Sequence, residues 1–506
     1  MPLRREINLQ MITKKIVSER IANCIQRSFE RLREFHTWSS RVWIEEINGI
    51  QEDCEQLKQY LLGHNPVVIQ YIIIPIMYKT FLLLRNFCCT GHLYILDGAK
   101  YLDIRKTCRC ILGSIFFPCL EELDLGMCDD FSLGLVIENL EMVSNIKYLW
   151  ITKNVAPLSL VLEDKIAVLT NLRALYCDKC CTNRMLSSVA AFCQQLTLLD
   201  VENSIEVDDF SVDNIIRLQS LQRLDVSGTS ISNLGYQEIL MRLPELRNVC
   251  WITPIEQLIV DLPFERRSKY SFANVSIIAP ATFCTNCPNI SKLHIFSRGQ
   301  DINVSFFSRL TELTDFEIKS FNFVASEIDS FLQQSGRNLK VLTLYLVNNV
   351  DCGAITNNCN ILESLNFKRC EFMNNPLVDV EQTSPHFENL RCLCFSANRN
   401  GASFYECIQF YQHLLEFYVM STPEIDDYFV TNLVENNVFV DLVDFFILTA
   451  SLSYSTVDLL IDNCGKLKRI GDLNYWRLQN DEIQDLKAKV QNLNLDLEFV
   501  HIQFTL

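Results

Sequence analysis

Apolar residues recur along most of the chain in the spacing L-x-x-L-x-L, and a stripe at intervals of three and four follows each copy. Leu120, Leu123 and Leu125 in FPCLEELDLGMC show the spacing first. It returns as Ile146/Leu149/Ile151, Leu172/Leu175/Cys177, Leu196/Leu199/Val201, Leu221/Leu224/Val226, Leu246/Val249/Trp251 and Ile290/Leu293/Ile295. First anchors continue at Leu313, Leu339, Leu362, Leu390, Leu414 and Leu442, and weakly at Leu467. Neighbouring anchors lie 23 to 28 residues apart, except for one interval of 44 between Leu246 and Ile290. A fixed period near 25 residues means a repeat architecture.

Each unit reads directly as structure. Its L-x-L end alternates, which predicts a short strand with apolar side chains on one face. The following residues, such as Leu133–Val143, Met185–Cys193 and Gly235–Leu243, have helical spacing. One strand and one helix cannot bury both apolar faces alone. Stacked copies can, in a parallel sheet with helices on its outer side. The expected fold class is therefore α/β, a solenoid with a curved parallel sheet and outer helices, preceded by a small helical block.

The first ~115 residues do not repeat. Helices are expected over about 8–36, over about 40–62 ending at Gly63, and over about 66–85, with a degenerate first repeat at Leu93–Ile111. Near the other end, Asp481–Lys489 reads as a helix and Leu495–Phe504 as a last strand. The expected division is a helical block or cap over 1–90, a repeat array over 91–480 and a C-terminal cap over 481–506. The 44-residue interval implies an insertion near 254–282, expected as a solvated rim loop. It contains the basic run Arg266, Arg267 and Lys269.

Composition narrows the setting. The 506 residues include 45 Lys+Arg and 61 Asp+Glu, a formal net charge of −16, with 49% hydrophobic and 21% charged residues. Such a chain folds and is unsuited to bulk phosphate-backbone binding, so no nucleic-acid partner is expected. The segment Met11–Phe35 is basic and amphipathic without an unbroken apolar run, and Glu6, Glu19, Glu30 and Glu34 argue against a transit peptide. Pro66–Leu84 is about bilayer length, but Gln70, Pro75 and Lys79 interrupt it, so buried short helices are expected and no membrane partner. The 22 Cys read as reduced thiols of a cytoplasmic or nuclear protein. The sequons at Asn274, Asn289 and Asn303 bear only on a secreted chain.

No phosphate loop, dinucleotide fingerprint, zinc-protease helix, nucleophile elbow or calcium loop is present, and the seven His lie far apart. Cys177-x-x-Cys180 with Cys181, Cys284-x-x-Cys287, and Cys108 with Cys110 have thiol spacings that suit zinc. A structural zinc site needs four converging ligands. In the repeat register Cys177 is a third anchor and Cys287 ends a helix, so these thiols read as small buried residues. No catalytic, cofactor-binding or metal residue is assigned, and an enzyme is not expected.

The phrases AFCQQLTLLDV, CTNCPNISKLHI and NNCNILESLNF, with Cys or Asn after the third anchor, resemble the cysteine-containing, ribonuclease-inhibitor-like leucine-rich repeats. The resemblance covers about residues 117–475. It implies similarity to F-box and VHL-box receptors of ubiquitin ligases, in which a helical block grips an adaptor and the repeats hold the target. This chain departs from the F-box pattern: no Leu-Pro opens its first helix, and Trp38 and Trp43 lack the expected Cys partner. Of the VHL-box start it keeps Leu9, but Thr13 stands where Cys is expected, with Val17 at the later apolar position.

Residues between the anchors point away from the core, so the chemistry is expected on the sheet's concave face. Its first half gathers Glu122, Asp124, Tyr148, Trp150, Tyr176, Asp178, Asp200, Glu202 and Asp225, an acidic and aromatic patch suited to a basic protein partner. The second half is mixed, with Lys292, Phe296, Lys319, Tyr345, Lys368, Tyr418, Met420 and Phe446. The expected role is protein–protein interaction inside the cell. The resemblance points to the substrate receptor of a cullin–RING ubiquitin ligase, contacting a cullin adaptor through its N-terminal helices. The alternatives are a scaffold without a ligase link, or a secreted or membrane-attached ectodomain.

Overall fold

The computed structural model describes residues 21–32, 40–62, 80, 83, 98–113, 115, 119–126, 128, 130–151, 162–251, 254–296, 302–322, 325–372, 389–399, 408, 411, 413–420, 425–448, 452–471, 473 and 476–500. Leu9, Ile12, Thr13, Ile16, Val17 and Trp38 lie outside the described residues, as does the expected helix over 66–85 apart from Thr80 and Leu83.

Sixteen strands form one sheet in strict chain order. They are β1 (Glu122–Asp124), β2 (Tyr148–Ile151), β3 (Ala174–Cys177), β4 (Leu198–Asp200), β5 (Arg223–Asp225), β6 (Asn248–Cys250), β7 (Ser271–Val275) and β8 (Lys292–Phe296). There follow β9 (Asp315–Asn322), β10 (Val341–Asn348), β11 (Ser364–Lys368), β12 (Cys392–Ser396), β13 (Glu416–Met420), β14 (Asp444–Leu448), β15 (Arg469–Gly471) and β16 (Glu498–Val500). The pairing is parallel, anchor beside anchor: Leu123, Leu149, Leu175, Leu199 and Leu224 align, as do Leu342, Leu365, Leu393, Phe417 and Phe445. The fold class is thus an α/β leucine-rich-repeat solenoid. Helix-linked parallel strands in chain order, each burying its anchors, are what this spacing requires.

The chain divides into two compact units, Met1–Asn248 and Val249–Leu506. In the first, the anchors Leu120, Ile146, Leu172, Leu196 and Leu221 are buried. The intervening helices Asn183–Phe192 and Asn233–Arg242 start at side-chain caps. Thr182 accepts from the Met185 N–H and Ser232 from the Gly235 N–H, both at 3.1 Å. Ahead of the strands stand a helix over 21–32 and the helices Ser40–Leu62 and Gly98–Gly113. The first buries Ile21, Ile25, Phe29 and Leu32. Arg31 ties it to the second through Glu46 at 2.7 Å and Asp53 at 2.8 Å. Of the degenerate first repeat expected at Leu93–Ile111, residues 93–97 lie outside the described residues and the remainder is helical.

The second unit revises one expectation. The segment 254–282, expected as a rim insertion, supplies β7, which stands between β6 and β8 in the sheet. Phe272 lies opposite Leu293 and Val275 opposite Ile295, with a shift of register between them. Two residues separate the buried pair on β7 where β8 has one, so β7 bulges. That extra residue hides the L-x-L spacing. The basic run is not a free rim either: Arg267 donates to the Leu262 carbonyl at 2.8 Å and to Asn286 Oδ1 at 2.6 Å. Buried Glu256 accepts from the Ile278 and Ala279 N–H groups at 2.6 and 2.5 Å, at the start of the helix Pro280–Asn286. At the far end, the helix Asn480–Asn492 leads into β16.

Candidate functional site

In the first unit, strand register places the expected site residues in one array. Asp124, Trp150, Tyr176, Asp200 and Asp225 align across β1 to β5, and Glu122 lies beside Tyr148 in the row before. The rows run across the strands, where neighbours are about 4.8 Å apart. Side chains of one row therefore touch even though about 25 residues separate them in sequence.

The aromatics form a ladder. Trp150 and Tyr176 stack with centroids 5.3 Å apart and planes 7° from parallel, and Tyr148 adds a third ring 6.2 Å from Trp150. All three remain partly exposed. A stack already formed loses little conformational freedom when a partner covers it.

The ladder leads into carboxylates. Asp200, Glu202 and Asp225 bring one oxygen each within 4.8 Å of the others. Burial, then the nearby Asp225 carboxylate, pushes the Asp200 carboxyl up to about 6, and burial followed by Asp225 and Asp178 also raises Glu202. The backbone holds the trio in place: the Glu202 N–H donates to Asp200 at 3.2 Å and the Ser227 N–H to Asp225 at 3.0 Å. The cations acting on these acids are Arg223 on Asp200 and Lys179 on Glu202. Among the described residues this trio is the one group of three potential metal ligands whose donors converge so closely. Exposed acids often cluster without an ion, and nothing further at the trio points to one, so no metal is assigned.

Asp225 departs from the expectation of an outward-pointing residue. It lies on the row but is only 4% exposed, too deep for direct contact with a partner. Asp178 sits in the turn after β3, where the Asn203 side-chain amide donates to it at 3.2 Å. Arg223 has a buried Nε without a hydrogen-bond partner, and Ser227 a buried hydroxyl likewise. Spacing placed Arg223 in the row of Glu122 and Tyr148, as register shows, whereas the Ser227 contact with Asp225 was not legible.

The second unit's face is different. Lys292 bonds Asp315 at 2.6 Å, His294 lies between Asp315 at 3.0 Å and Glu317 at 3.3 Å, and Lys319 bonds Glu317 at 3.1 Å. These charges satisfy one another. Phe446, expected outward, is buried, stacked on Tyr418 at 5.1 Å with the Arg469 guanidinium over its ring. Arg469 in turn grips buried Asp444. Among the described residues, the first unit therefore combines a partly exposed ring stack with converging acids.

Of the cysteines with zinc-like spacing, Cys108, Cys177, Cys181, Cys284 and Cys287 are buried as expected, whereas Cys110 and Cys180 are partly exposed. The described cysteines are free thiols.

No family model matches the chain, and no curated protein matches it. Several solved structures resemble it. One is the Rad7 and Elc1 complex in yeast, with 15% identity, 69% of this chain and 90% of that chain covered, and a TM-score of 0.39. Others are an internalin from Listeria monocytogenes (15% identity, 67% and 83% covered, TM-score 0.31) and a leucine-rich-repeat protein from Leptospira interrogans (12% identity, 77% and 92% covered, TM-score 0.28). The fold assignment rests on this chain's own strand order and register.

Proposed function

We propose that this chain is an intracellular interaction scaffold that docks a basic protein segment on the Tyr148–Trp150–Tyr176 ladder and the adjoining acids. The observation that carries this reading is that the Trp150–Tyr176 stack runs into Asp200 along one row, with Tyr148 and Glu202 flanking it. Stacked rings supply apolar area and faces that attract cations, and the carboxylates beside them supply opposite charge. Pull-downs with wild type and with Trp150→Ala/Asp200→Lys test it. Basic partners recovered by wild type and lost by the variant support the reading. Identical recovery by both sinks it.

The resemblance to F-box and VHL-box receptors extends the proposal: the helices ahead of β1 would hold a cullin adaptor while the face holds a ubiquitylation target. Its support is the placement of a helical block before the repeats. Deleting residues 1–65 should remove a copurifying adaptor and leave capture by the face intact. If wild type recovers no adaptor, the ligase role fails and the scaffold reading stands.

A further inference from the structure

The thiols of the Cys177-x-x-Cys180 motif are not used by the docking proposal. Cys177 is the third anchor of β3 and fully buried, whereas Cys180, three residues on, is partly exposed at the end of the turn. Their sulfurs are 3.0 Å apart. The turn that brings them together is held from outside. The buried Ser204 hydroxyl donates to the Cys177 carbonyl and accepts from the Cys181 N–H, both at 3.1 Å. The Lys179 N–H donates to the Glu202 carbonyl at 3.0 Å, and Lys179 itself adopts φ +64°. Neighbouring Cys181 is buried and directs its thiol at the Thr182 carbonyl, 3.8 Å away.

We propose that Cys177 and Cys180 are a dithiol that oxidises reversibly to an intramolecular disulfide, with Cys180 as the entry thiol. This stands on the thiol geometry alone, independent of any docked partner. A disulfide needs sulfurs about 2.05 Å apart, so the existing contact must close by only about 1 Å. The other reactant is a low-molecular-weight disulfide such as oxidised glutathione. Cys180, as thiolate, attacks one of its sulfurs; that S–S bond breaks, and one glutathione leaves and takes up a proton. Cys177 then loses its proton, its sulfur attacks the Cys180 sulfur, and the mixed S–S bond breaks to release the second glutathione, which takes that proton. Two protein thiols have lost two electrons, and one glutathione disulfide has gained them. Cys177 is a poor first nucleophile, because its bonds to the neighbouring thiols and its burial hold it protonated. The partly exposed Cys180 must therefore react first. The same reluctance of Cys177 to leave as thiolate favours the closed disulfide over its reduction. The bond would span Asp178 and follow directly on Tyr176, so it would stiffen the turn at the edge of the docking row.

Trypsin cuts after Arg173, Lys179 and Arg184, which places Cys177 in the peptide 174–179 and Cys180 with Cys181 in 180–184. The test treats the folded full chain with oxidised glutathione, blocks free thiols, digests without reductant and maps the peptides by mass. The expected result is a linked 174–179/180–184 pair that dithiothreitol abolishes, that Cys180→Ser loses and that Cys181→Ser retains. A linked pair surviving in Cys180→Ser would overturn the assignment. So would a wild type in which Cys180 stays glutathionylated while Cys177 is recovered alkylated.

Discussion

At the residue scale, the docking proposal turns on Trp150 and Asp200. Trp150 is the middle ring of the ladder, touching Tyr148 and Tyr176, and central aromatics tend to be hot spots. Trp150→Ala should weaken a bound basic segment by about 2 kcal/mol, measured by calorimetry. Asp200 adds a pH dependence. Its carboxyl titrates at about 6 in the folded chain against an ordinary 3.8, so folding binds a proton there. Its favourable contribution to stability is fully present below about 4 and lost as pH rises through about 6. Above that pH the ionised group costs stability, and Asp200→Asn should raise stability at pH 7.5 by on the order of 1–3 kcal/mol in denaturant melts. In the proposed docking the same ionised group would attract the basic segment. A Lys/Arg-rich peptide should bind more weakly at pH 5 than at pH 7.5, and Asp200→Asn should flatten that difference. An unchanged pH profile in the variant would remove Asp200 from the site.

At the scale of the element, each strand and the turn after it obey one rule. The anchors are buried, so Leu224→Ala should cost roughly 2–5 kcal/mol and lower the melting temperature. Three residues beyond the row, the backbone turns left-handed in repeat after repeat: Lys179, Asn203 and Gly228 have φ of 64°, 59° and 71°, and Leu346, Arg369 and Ala397 have 54°, 52° and 51°. Glycine suits this conformation because it has no Cβ to clash. At Gly228 an added Cβ would lie 2.6 Å from Asn203 Oδ1 as well, so Gly228→Ala should destabilise. Exposed Ala397 offers the converse test. Ala397→Gly should stabilise by about 0.5–1 kcal/mol, because relief of the left-handed strain outweighs the added freedom of the unfolded chain. Six residue types at one position leave no sequence signature. The conformation is set by the need of each strand to return to a helix at the same point.

On the scale of the whole molecule, charge acts over distance. The chain carries a formal net charge of −16, so the proposed basic partner would be drawn in by more than the groups it touches. Its association rate should fall steeply as salt rises from about 20 to 300 mM, where the screening length shrinks to a few ångströms, while its dissociation rate changes less. Stopped-flow mixing at several salt concentrations checks this, and an association rate indifferent to salt would count against steering. Among the described residues no helix is long and apolar enough to cross a membrane.

Residue spacing alone determined the repeat, the parallel order, the anchors and which residues share a row across the strands. A period near 25 with alternating ends leaves one economical way to bury every Leu, and register follows from aligning anchors. The register of Glu122, Asp124, Tyr148, Trp150, Tyr176, Asp200 and Asp225 was legible on the same ground. What only the tertiary structure decided lies between repeats. β7 was hidden because a bulge replaced its L-x-L spacing with Phe272-x-x-Val275. Asp225 proved buried, and the sulfurs of Cys177 and Cys180 proved to touch because Ser204, from the next repeat, closes their turn. Spacing says which face a side chain takes. How deeply it lies, and what it touches from a neighbouring repeat, depend on packing between segments some 25 residues apart, to which no local pattern has access.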